Sequence, residues 1–375
     1  MKEVYLHHLW KYKRLPFHQM QLQDGCFINI IDTGKYNQNE SGPDFFLSKI
    51  RYENLILVGS VEIHVSSSDW YRHKHHLDPA YDNVILHVVF NHDREVFVQG
   101  KALPVLELKR FIDYNHFEKF LQIKRYCNSN KFPCKSYADA MRKMNLQEMI
   151  VKAIDNRFQR KCLELENHSR KTEEELLYLL IARSFGTKIN QQPFEQLANI
   201  YSLDYLKQVK KLNNLNAFMN ELFSNPIFQW KKKGLRNASA PERRFPVFID
   251  FITQIDLNFP FWELPPSMIY EYFKVQFKQL NISGKVLSSC ILINAIVFFL
   301  MIKGRLEQNK FLIKKAFRLL ELLPPEDNQI IREWRELDIT PQNAYESQAL
   351  LEIYQQFCER KKCLDCNIGI NFLNS

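Results

Sequence analysis

The chain has 375 residues, of which 46% are hydrophobic and 25% are charged, the composition of an ordinary globular protein large enough for two domains. Lys and Arg outnumber Asp and Glu by 51 to 42, and this surplus favours polyanionic partners, including nucleic acid. Eight cysteines are too few for a disulfide scaffold and no export signal is evident, so we expect a protein of the reducing cytoplasm.

Strand signals dominate residues 1–112 after one short helix. The helix is predicted over residues 3–13, where apolar residues form one stripe, and Pro16 follows it. The strand that begins at Val84 is almost entirely apolar, which is typical of a central strand buried on both faces. Strands are predicted at Cys26–Ile31, Phe45–Tyr52, Leu55–Val65, Val84–Phe90, Glu95–Val98 and Pro104–Leu108.

The hairpin of residues 42–64, GPDFFLSKIRYENLILVGSVEIH, carries the strongest functional signal. Asp44 follows Gly-Pro ahead of one strand, and Glu62 and His64 project from the same face of the next. A buried carboxylate is costly unless it is paired or binds a metal. We therefore predict that Asp44 and Glu62 bind Mg²⁺ or Mn²⁺ and that His64 positions or deprotonates a water. The alternative is a structural carboxylate in a polar hairpin.

A second group of polar residues lies in the loop that follows this strand. Asp69, His73 and Asp78 are the better candidates for a supporting role in catalysis, while the alternative is a solvated polar loop. His87, on the next strand, is predicted to be either a core histidine or a neighbour of the site. The loop contains Asp69, Trp70, His73, His75, His76, Asp78, Tyr81 and Asp82.

Helix signals replace strand signals beyond about residue 112. The apolar run from Val286 to Ile302 contains polar residues and falls short of the ~20 apolar residues of a membrane span, so a buried helix is expected. Helices are predicted at Tyr114–Arg125, Tyr137–Asn167, Thr172–Ser184, Pro193–Ile200, Asp204–Leu222, Pro241–Ile255, Val286–Lys303, Gln308–Leu323 and Asn343–Lys361.

These patterns predict an α+β or α/β fold with two domains. Residues 1–112 are expected to form a mixed β-sheet domain, and residues 113–375 a mainly α-helical domain.

Three cysteines lie close together near the C-terminus, as Cys358-x4-Cys363-x2-Cys366 beside basic residues. Positive charge favours thiolates, and this spacing suits a zinc or iron–sulfur site that takes a fourth ligand from Cys127, Cys134 or Cys26. The alternative is that these cysteines are small buried hydrophobic residues.

The most basic stretch, WKKKGLRNASAPERRFP from Trp230, ends in a helix predicted to start at a proline. Arg236, Arg243 and Arg244 are predicted to contact a nucleic-acid backbone or a partner surface. The alternative is a solvated charged face.

Two resemblances accompany these motifs. Pro43-Asp44 and Glu62-Ile63-His64 resemble the two half-motifs of the PD-(D/E)XK nuclease superfamily, with His64 where that family usually has lysine. The resemblance implies a restriction-endonuclease-like sheet, a divalent metal and a further carboxylate on the first helix, for which Glu3 is the candidate. The segments LHHLWKY, GPDFF, GSVEIHVSSSDW, DPAYDNVILHVVF and KKCLDCNIG resemble an uncharacterised bacterial family, domain of unknown function 2851, over essentially the whole chain.

Two functions follow as hypotheses. The first is a metal-dependent nuclease or phosphodiesterase that acts on nucleic acid. The second is a catalytically inactive protein of the nuclease fold that binds nucleic acid or a protein partner, which the absence of the lysine favours. No membrane association is expected.

Overall fold

The chain forms two compact units, Met1–Arg125 and Tyr126–Leu373. The first contains a mixed sheet and the second is mainly helical, so the predicted α+β organisation is confirmed. The prediction that residues 1–112 and 113–375 are separate domains is not tested by this division and stays a prediction. The computed structural model describes residues 1–18, 20–37, 41–129, 132, 134–135, 146–165, 171–233, 240–280, 282 and 284–374.

The first unit is built on a sheet of seven strands, with a separate two-stranded ribbon. The ribbon consists of β7 (Phe97–Val98) and β8 (Lys101–Ala102). The strands of the large sheet are β1 (Met20–Gln21), β2 (Phe27–Asp32), β3 (Lys35–Tyr36), β4 (Phe45–Tyr52), β5 (Leu55–Ser66), β6 (Val84–Asn91) and β9 (Val105–Glu107).

The strand order is β1-β2-β4-β5-β6-β9, with β3 paired to β4. Strands β4 and β5 form an antiparallel hairpin, whereas β6 pairs parallel to β5 and β9 pairs parallel to β6. At the far ends of this path, the backbone N–H of Gln23 donates to the carbonyl of Val105 at 3.1 Å. The sheet is therefore curled almost into a barrel.

The parallel pairing of β5 and β6 positions the loop between them. A parallel partner must be reached by a crossover, so residues 67–83 run from the end of β5 back to the level of Ser60, which lies opposite Val84. The crossover contains α2 (Asp69–Arg72) and two 3₁₀ turns, His75–Leu77 and Pro79–Tyr81. It brings its histidines back towards the middle of β5.

Helix α1 (Glu3–Lys11) packs against β5. The indole of Trp10 contacts the rings of Phe17 and Phe45 edge-on and donates from Nε1 to the carbonyl of Thr33 at 3.1 Å. A buried indole that is hydrogen-bonded in this way fixes the orientation of the helix. The polar side of α1 is thereby held next to the start of β4.

The second unit is a helical assembly with a phenylalanine-rich core. Two π-helical segments, Leu292–Val297 and Tyr354–Cys358, interrupt its helices. Helix α3 (Tyr114–Ser129) crosses the boundary between the units in sequence. The helices that follow are α4 (Gln147–Glu164), α5 (Glu173–Gly186), α6 (Gln191–Ile200), α7 (Leu203–Lys211), α8 (Leu215–Ser224), α9 (Pro241–Ile252), α10 (Pro266–Gln279), α11 (Lys285–Ile291), α12 (Phe298–Leu306), α13 (Lys310–Leu322), α14 (Gln329–Arg335), α15 (Ala344–Ile353) and α16 (Asn367–Asn374).

Some predicted helix boundaries are wrong. The single helix predicted over Asp204–Leu222 is two helices, α7 and α8, because Asn213 adopts a left-handed conformation with φ of 56°. Helix α10 was not predicted, although Pro266 at its first turn is a helix-start signal. The helix predicted over Tyr137–Asn167 is observed as α4, and residues 137–145 and 166–167 lie outside the described part of the chain.

One helical stretch, Val286–Leu306, is long and apolar enough to span a membrane by length and composition alone. In the structure, 61% of its most apolar window is buried, and α11 and the π-helical segment pack against α5. This burial is that of a core helix, as the sequence predicts. The cytoplasmic location stays a prediction.

Candidate metal centre

The hairpin of β4 and β5 holds Asp44 and Glu62 together through two reciprocal hydrogen bonds. The backbone N–H of Asp44 donates to Oε2 of Glu62 at 3.1 Å, and the backbone N–H of Ile63 donates to Oδ2 of Asp44 at 2.9 Å. Each carboxylate therefore fixes the backbone that carries the other. The second oxygens, Oδ1 of Asp44 and Oε1 of Glu62, are not used in these bonds.

Two imidazoles face the second oxygen of Glu62. Nε2 of His64 lies 3.4 Å from Oε1, and Nε2 of His75 lies 3.3 Å from the same atom. Glu62 and His64 share one face of β5, as their spacing predicts, and both are buried. His75 approaches from the crossover, where its ring stacks on Tyr81 with centroids 3.9 Å apart.

His73 completes a group of three histidines. Nδ1 of His73 lies 3.2 Å from Nε2 of His64, and the rings of His64 and His75 are nearly parallel at 5.2 Å. One nitrogen from each of the three lies within 4.8 Å of the others. Three imidazoles with a further open position are the ligand set of many zinc sites, and imidazole also suits other first-row transition metals. His73 is exposed, so the group, hereafter the histidine cluster, opens to solvent.

His87 supports the histidine cluster from β6. Its Nε2 lies 2.9 Å from Nδ1 of His64, and its side chain is completely buried. Metal-binding histidines usually donate their second N–H to such a partner, which fixes the tautomer. If His64 donates from Nδ1 to His87, its Nε2 carries the lone pair that faces the cluster.

Burial sets the protonation of this group. It lowers the pKa of His64 to about 2, with the charges of His87, His75 and His73 adding to the effect. It also raises the pKa of Glu62 to about 9, with the charge of Asp44 adding to it. At neutral pH His64 is therefore an uncharged imidazole with a lone pair available to a cation.

Two buried ring nitrogens at or next to the cluster have no hydrogen bond within the residues that the structure describes. Nε2 of His75 and Nδ1 of His87 have no hydrogen-bond partner in the described part of the chain. For His75 the nearby Glu62 oxygen is within ion-pair distance but is not aligned for a hydrogen bond. A cation at the cluster would satisfy the nitrogen of His75, and the residues present fit such an ion.

Asp69 has a structural position at the start of α2. Its Oδ2 accepts the backbone N–H of Ser66 at 3.1 Å, and its Oδ1 pairs with Arg72 at 2.7 Å. Both oxygens are thus engaged in holding the short helix. A left-handed Lys74, with φ of 63°, then reverses the chain between His73 and His75. Neither contact tests the catalytic role predicted for Asp69, which stays a prediction.

Helix α1 contributes a histidine that the sequence prediction did not include. Nε2 of His7 lies 3.2 Å from Oδ2 of Asp44. Burial lowers the pKa of His7, but the Asp44 carboxylate more than offsets this and the net pKa is raised. Glu3 lies one turn earlier and is half-buried, and burial raises its pKa too. The spacing of Glu3 and His7 on one helix face was the signal that could have revealed His7.

The other predicted residues of the crossover are not members of the histidine cluster. Asp78 accepts the N–H of Ala80 at 2.9 Å and caps a 3₁₀ turn. His76 packs on Tyr71 and is exposed, as is Asp82.

The remaining predicted sites lie in the second unit. Cys358, Cys363 and Cys366 are buried there. Arg243 is exposed, whereas Arg244 is half-buried and donates to the carbonyl of Phe185 at 2.8 Å. Arg236 lies outside the described residues.

Comparison with known proteins identifies a family for this chain. A family model described as "Protein of unknown function (DUF2851)" matches residues 3–224, which is more than half of the chain. No curated protein and no solved structure shows significant similarity. The matched region includes the whole histidine cluster and ends before the C-terminal cysteines.

Proposed function

We propose that this chain, which belongs to the DUF2851 family, is a metal-dependent phosphodiester hydrolase that acts on nucleic acid. The observation that carries the proposal is the convergence of three imidazole nitrogens beside the paired carboxylates Asp44 and Glu62, in a group that opens to solvent. Metal-assisted hydrolysis of a phosphodiester uses a cation, a base for water and neutralisation of developing charge, and these residues offer candidates for each role.

His64, His73 and His75 would hold the ion. Nitrogen donors favour Zn²⁺ and similar ions, whereas Mg²⁺ prefers an all-oxygen set. Of the two ions predicted from the sequence, Mn²⁺ fits a nitrogen-rich site better than Mg²⁺ does. A bound ion would polarise the phosphoryl group and lower the pKa of a water.

The carboxylates and His7 would handle the protons. Oε1 of Glu62 lies next to the cluster, so it is placed to accept a proton from the attacking water, and a neighbouring cation lowers its pKa towards the range of a base. His7, whose pKa is raised beside Asp44, is placed to donate a proton to the leaving oxygen. Asp44 would orient His7 and hold the strand that carries Glu62.

Two observations favour nucleic acid as the substrate. The order of elements (a helix, an antiparallel hairpin that carries Asp44 and Glu62, and a crossover to a parallel strand) is compatible with the PD-(D/E)XK resemblance. The chain is also basic, and residues 126–375 contain 35 Lys and Arg against 27 Asp and Glu.

The test compares neighbouring histidines. His75→Ala removes a cluster nitrogen, whereas His76→Ala removes an exposed ring outside the cluster. Glu62→Gln removes the base but keeps an oxygen to accept the N–H of Asp44. Metal-free protein is assayed with Zn²⁺, Mn²⁺ or Mg²⁺ on bis(p-nitrophenyl) phosphate and on single- and double-stranded DNA and RNA.

We expect His75→Ala and Glu62→Gln each to lose about 100-fold or more in kcat/KM, and His76→Ala to keep the wild-type value. Full cleavage by Glu62→Gln, with the cleaving activity co-purifying with the chain, would remove the proposal.

The second function, a nuclease-fold protein without activity, is favoured by the uncharged His64 in the position of the usual lysine. Isothermal titration with Mn²⁺ or Zn²⁺ separates the two functions. An inactive site predicts no heat that depends on His75 or Asp44, and an active one predicts heat that vanishes in His75→Ala and persists in His76→Ala.

A further inference from the structure

We propose that the second unit holds a separate metal centre, bound by the thiolates of Cys134, Cys358, Cys363 and Cys366. The four residues lie within Tyr126–Leu373 and take no part in the histidine cluster. The site goes beyond the proposed hydrolytic function and does not depend on it. It assigns the fourth ligand to Cys134, which is remote from the other three in sequence.

The four sulfur atoms gather in the interior of the protein. Each of these side chains is at most 3% exposed, and all four are thiols rather than disulfides. The thiols of Cys134 and Cys358 are hydrogen-bonded to each other. Cys363 and Cys366 lie close enough for their charges to act on Cys358, and the charge of Cys134 acts on Cys366. Four of the eight cysteines of the chain therefore lie close to one another.

The segment that carries Cys134 is anchored to the helices around this group. Phe132 stacks on Tyr354 with ring centroids 4.9 Å apart, and its ring meets Trp334 edge-on at 5.3 Å. Lys135 pairs with Glu333 at 2.5 Å. A π-helical segment ends at Cys358, and such segments are frequent at functional sites. Contacts on both sides of Cys134 thus hold its thiol against that of Cys358.

The start of α16 turns two N–H groups towards the sulfur of Cys366. The backbone N–H groups of Ile368 and Gly369 donate to this sulfur. A Cβ at position 369 would lie 2.0 Å from the carbonyl oxygen of Cys363, so only glycine permits this close approach. Hydrogen bonds to sulfur and a helix N-terminus both stabilise thiolates, as they do around metal–thiolate centres.

Burial of small hydrophobic side chains alone would explain the low exposure. It would not explain why four sulfur atoms share one place or why N–H groups point at one of them.

The ligand set determines the class of metal. Four thiolates suit zinc or an iron–sulfur cluster and not the hard ions Mg²⁺ or Ca²⁺. The spacing Cys358-x4-Cys363-x2-Cys366 is also the spacing of three ligands of the [2Fe–2S] cluster in plant-type ferredoxins. Either zinc or an iron–sulfur cluster would link the segment that carries Cys134 to the C-terminal helices.

The test is the metal content of the full chain purified without oxygen, measured by plasma mass spectrometry together with acid-labile sulfide and visible absorption. At the cysteine site we expect about one zinc, or about two irons and two sulfides, per chain, and any ion held by the histidine cluster would add to this amount. Cys134→Ser and Cys366→Ser should each lose the centre. Cys290→Ser should keep it, because that thiol bonds to the carbonyl of Ser184 and a hydroxyl can do the same. His75→Ala should also keep it, which separates this site from the histidine cluster.

Thiol reactivity of the wild-type chain provides a second measurement that does not need a folded variant. Four thiols should resist a thiol reagent until a chelator or a mercurial releases the metal. A wild-type chain that holds neither metal after anaerobic purification, nor after incubation with Zn²⁺ or with iron and sulfide, would overturn the proposal. Retention of the centre in Cys134→Ser would overturn the assignment of the fourth ligand.

Discussion

His64 stands where the resembled nuclease superfamily has lysine, and its surroundings suit an imidazole better than an ammonium group. Its side chain is 2% exposed and faces two further histidines and Glu62. An ammonium group there would lose its hydration and gain only one carboxylate as a partner. A neutral imidazole instead adds a lone pair to the cluster. In the proposed reaction, the charge that lysine normally supplies would come from His7, whose pKa is raised beside Asp44.

His64→Lys is the sharpest substitution for this question. We expect it to abolish binding of Zn²⁺ or Mn²⁺, because it removes one of three nitrogen ligands and places a positive charge beside the ion. Isothermal titration of metal-free protein measures the loss, and His76→Lys, which adds the same charge on the surface, should bind as the wild type does. If His64→Lys instead gains Mg²⁺-dependent cleavage, the site works as an all-oxygen PD-(D/E)XK centre and the cluster is not its ligand set.

His8 should make the first unit sensitive to acid. It is 5% exposed, and neither ring nitrogen has a hydrogen-bond partner in the part of the chain that the structure describes. Burial, with the charges of His116 and Arg14, lowers its pKa from 6.5 to about 3. Between these values the unfolded chain binds a proton that the folded chain does not, so stability is fully present above pH 6.5 and is lost as the pH falls towards 3.

The measurement is the free energy of unfolding in urea as a function of pH. His8 should contribute a loss of about 1.4 kcal/mol for each pH unit below 6.5. His8→Phe, which keeps an aromatic ring against Tyr12 and Phe120, should show a slope that is smaller by this amount. Equal slopes for the two proteins would mean that His8 is protonated in the folded state.

Residue patterns predicted part of the candidate site. The alternation of β5 correctly placed Glu62 and His64 on one face, because that face follows from strand geometry alone. The sequence of the crossover, residues 67–83, also indicates a group of histidines but does not favour His75 over Asp69. The direction of each side chain depends on the turn at Lys74, which cannot be read from the loop sequence.

A buried ion pair joins helices α4 and α15. Arg157 and Glu352 are 7% and 3% exposed, and Nη1 of the arginine lies 3.2 Å from Oε2 of the glutamate. Arg157 also donates to Oε1 of Gln348, so the guanidinium is shared between two turns of α15. Such a group is costly to bury and therefore depends on its partners.

Glu352→Gln should be strongly destabilising, because it removes the carboxylate that is hydrogen-bonded to both Arg157 and Arg160 and leaves Glu326 as the nearby counter-charge of the buried Arg157. We expect a loss of about 3–5 kcal/mol in the free energy of unfolding. Glu164→Gln is the matched control, since it removes an exposed partner of Arg160 on α4 and should cost no more than about 1 kcal/mol. Urea denaturation followed by circular dichroism measures both. Equal small losses would show that water or Gln348 compensates Arg157.

Element types were easier to predict than their arrangement. The capping box at Thr172 and Glu175 starts α5 as predicted, because both partners lie within one turn. The parallel pairing of β5 with β6 and the curl that brings Gln23 to Val105 depend on contacts between distant residues, so no local pattern reveals them. The site rests on that pairing, since it directs the crossover over β5.

At the scale of the whole chain, histidines and cysteines are concentrated in different parts of the sequence. Ten of the eleven histidines lie in residues 1–125 and seven of the eight cysteines in residues 126–375. The net positive charge is also unevenly distributed, because residues 1–125 contain 16 Lys and Arg against 15 Asp and Glu. The basic surplus thus belongs almost entirely to the helical region, while the proposed reaction belongs to the sheet.

This division predicts that the helical region supplies the affinity for nucleic acid. Lys233 and Arg243 are exposed at the edges of the basic stretch, so reversing both charges should weaken binding to DNA and RNA. If both residues contact phosphates, the slope of log K against log salt should fall by about two. Fluorescence anisotropy at several salt concentrations measures both effects.

The matched control reverses Lys49 and Lys101, which are exposed in the first unit, and gives the chain the same net charge. We expect its affinity and salt slope to stay near the wild-type values, because a specific contact depends on where charge lies and a general attraction depends only on the total. Cleavage of bis(p-nitrophenyl) phosphate should be unchanged in both double variants, since neither touches the histidine cluster. Equal weakening in both would show that net charge alone attracts the nucleic acid and would remove the basic stretch as its binding surface.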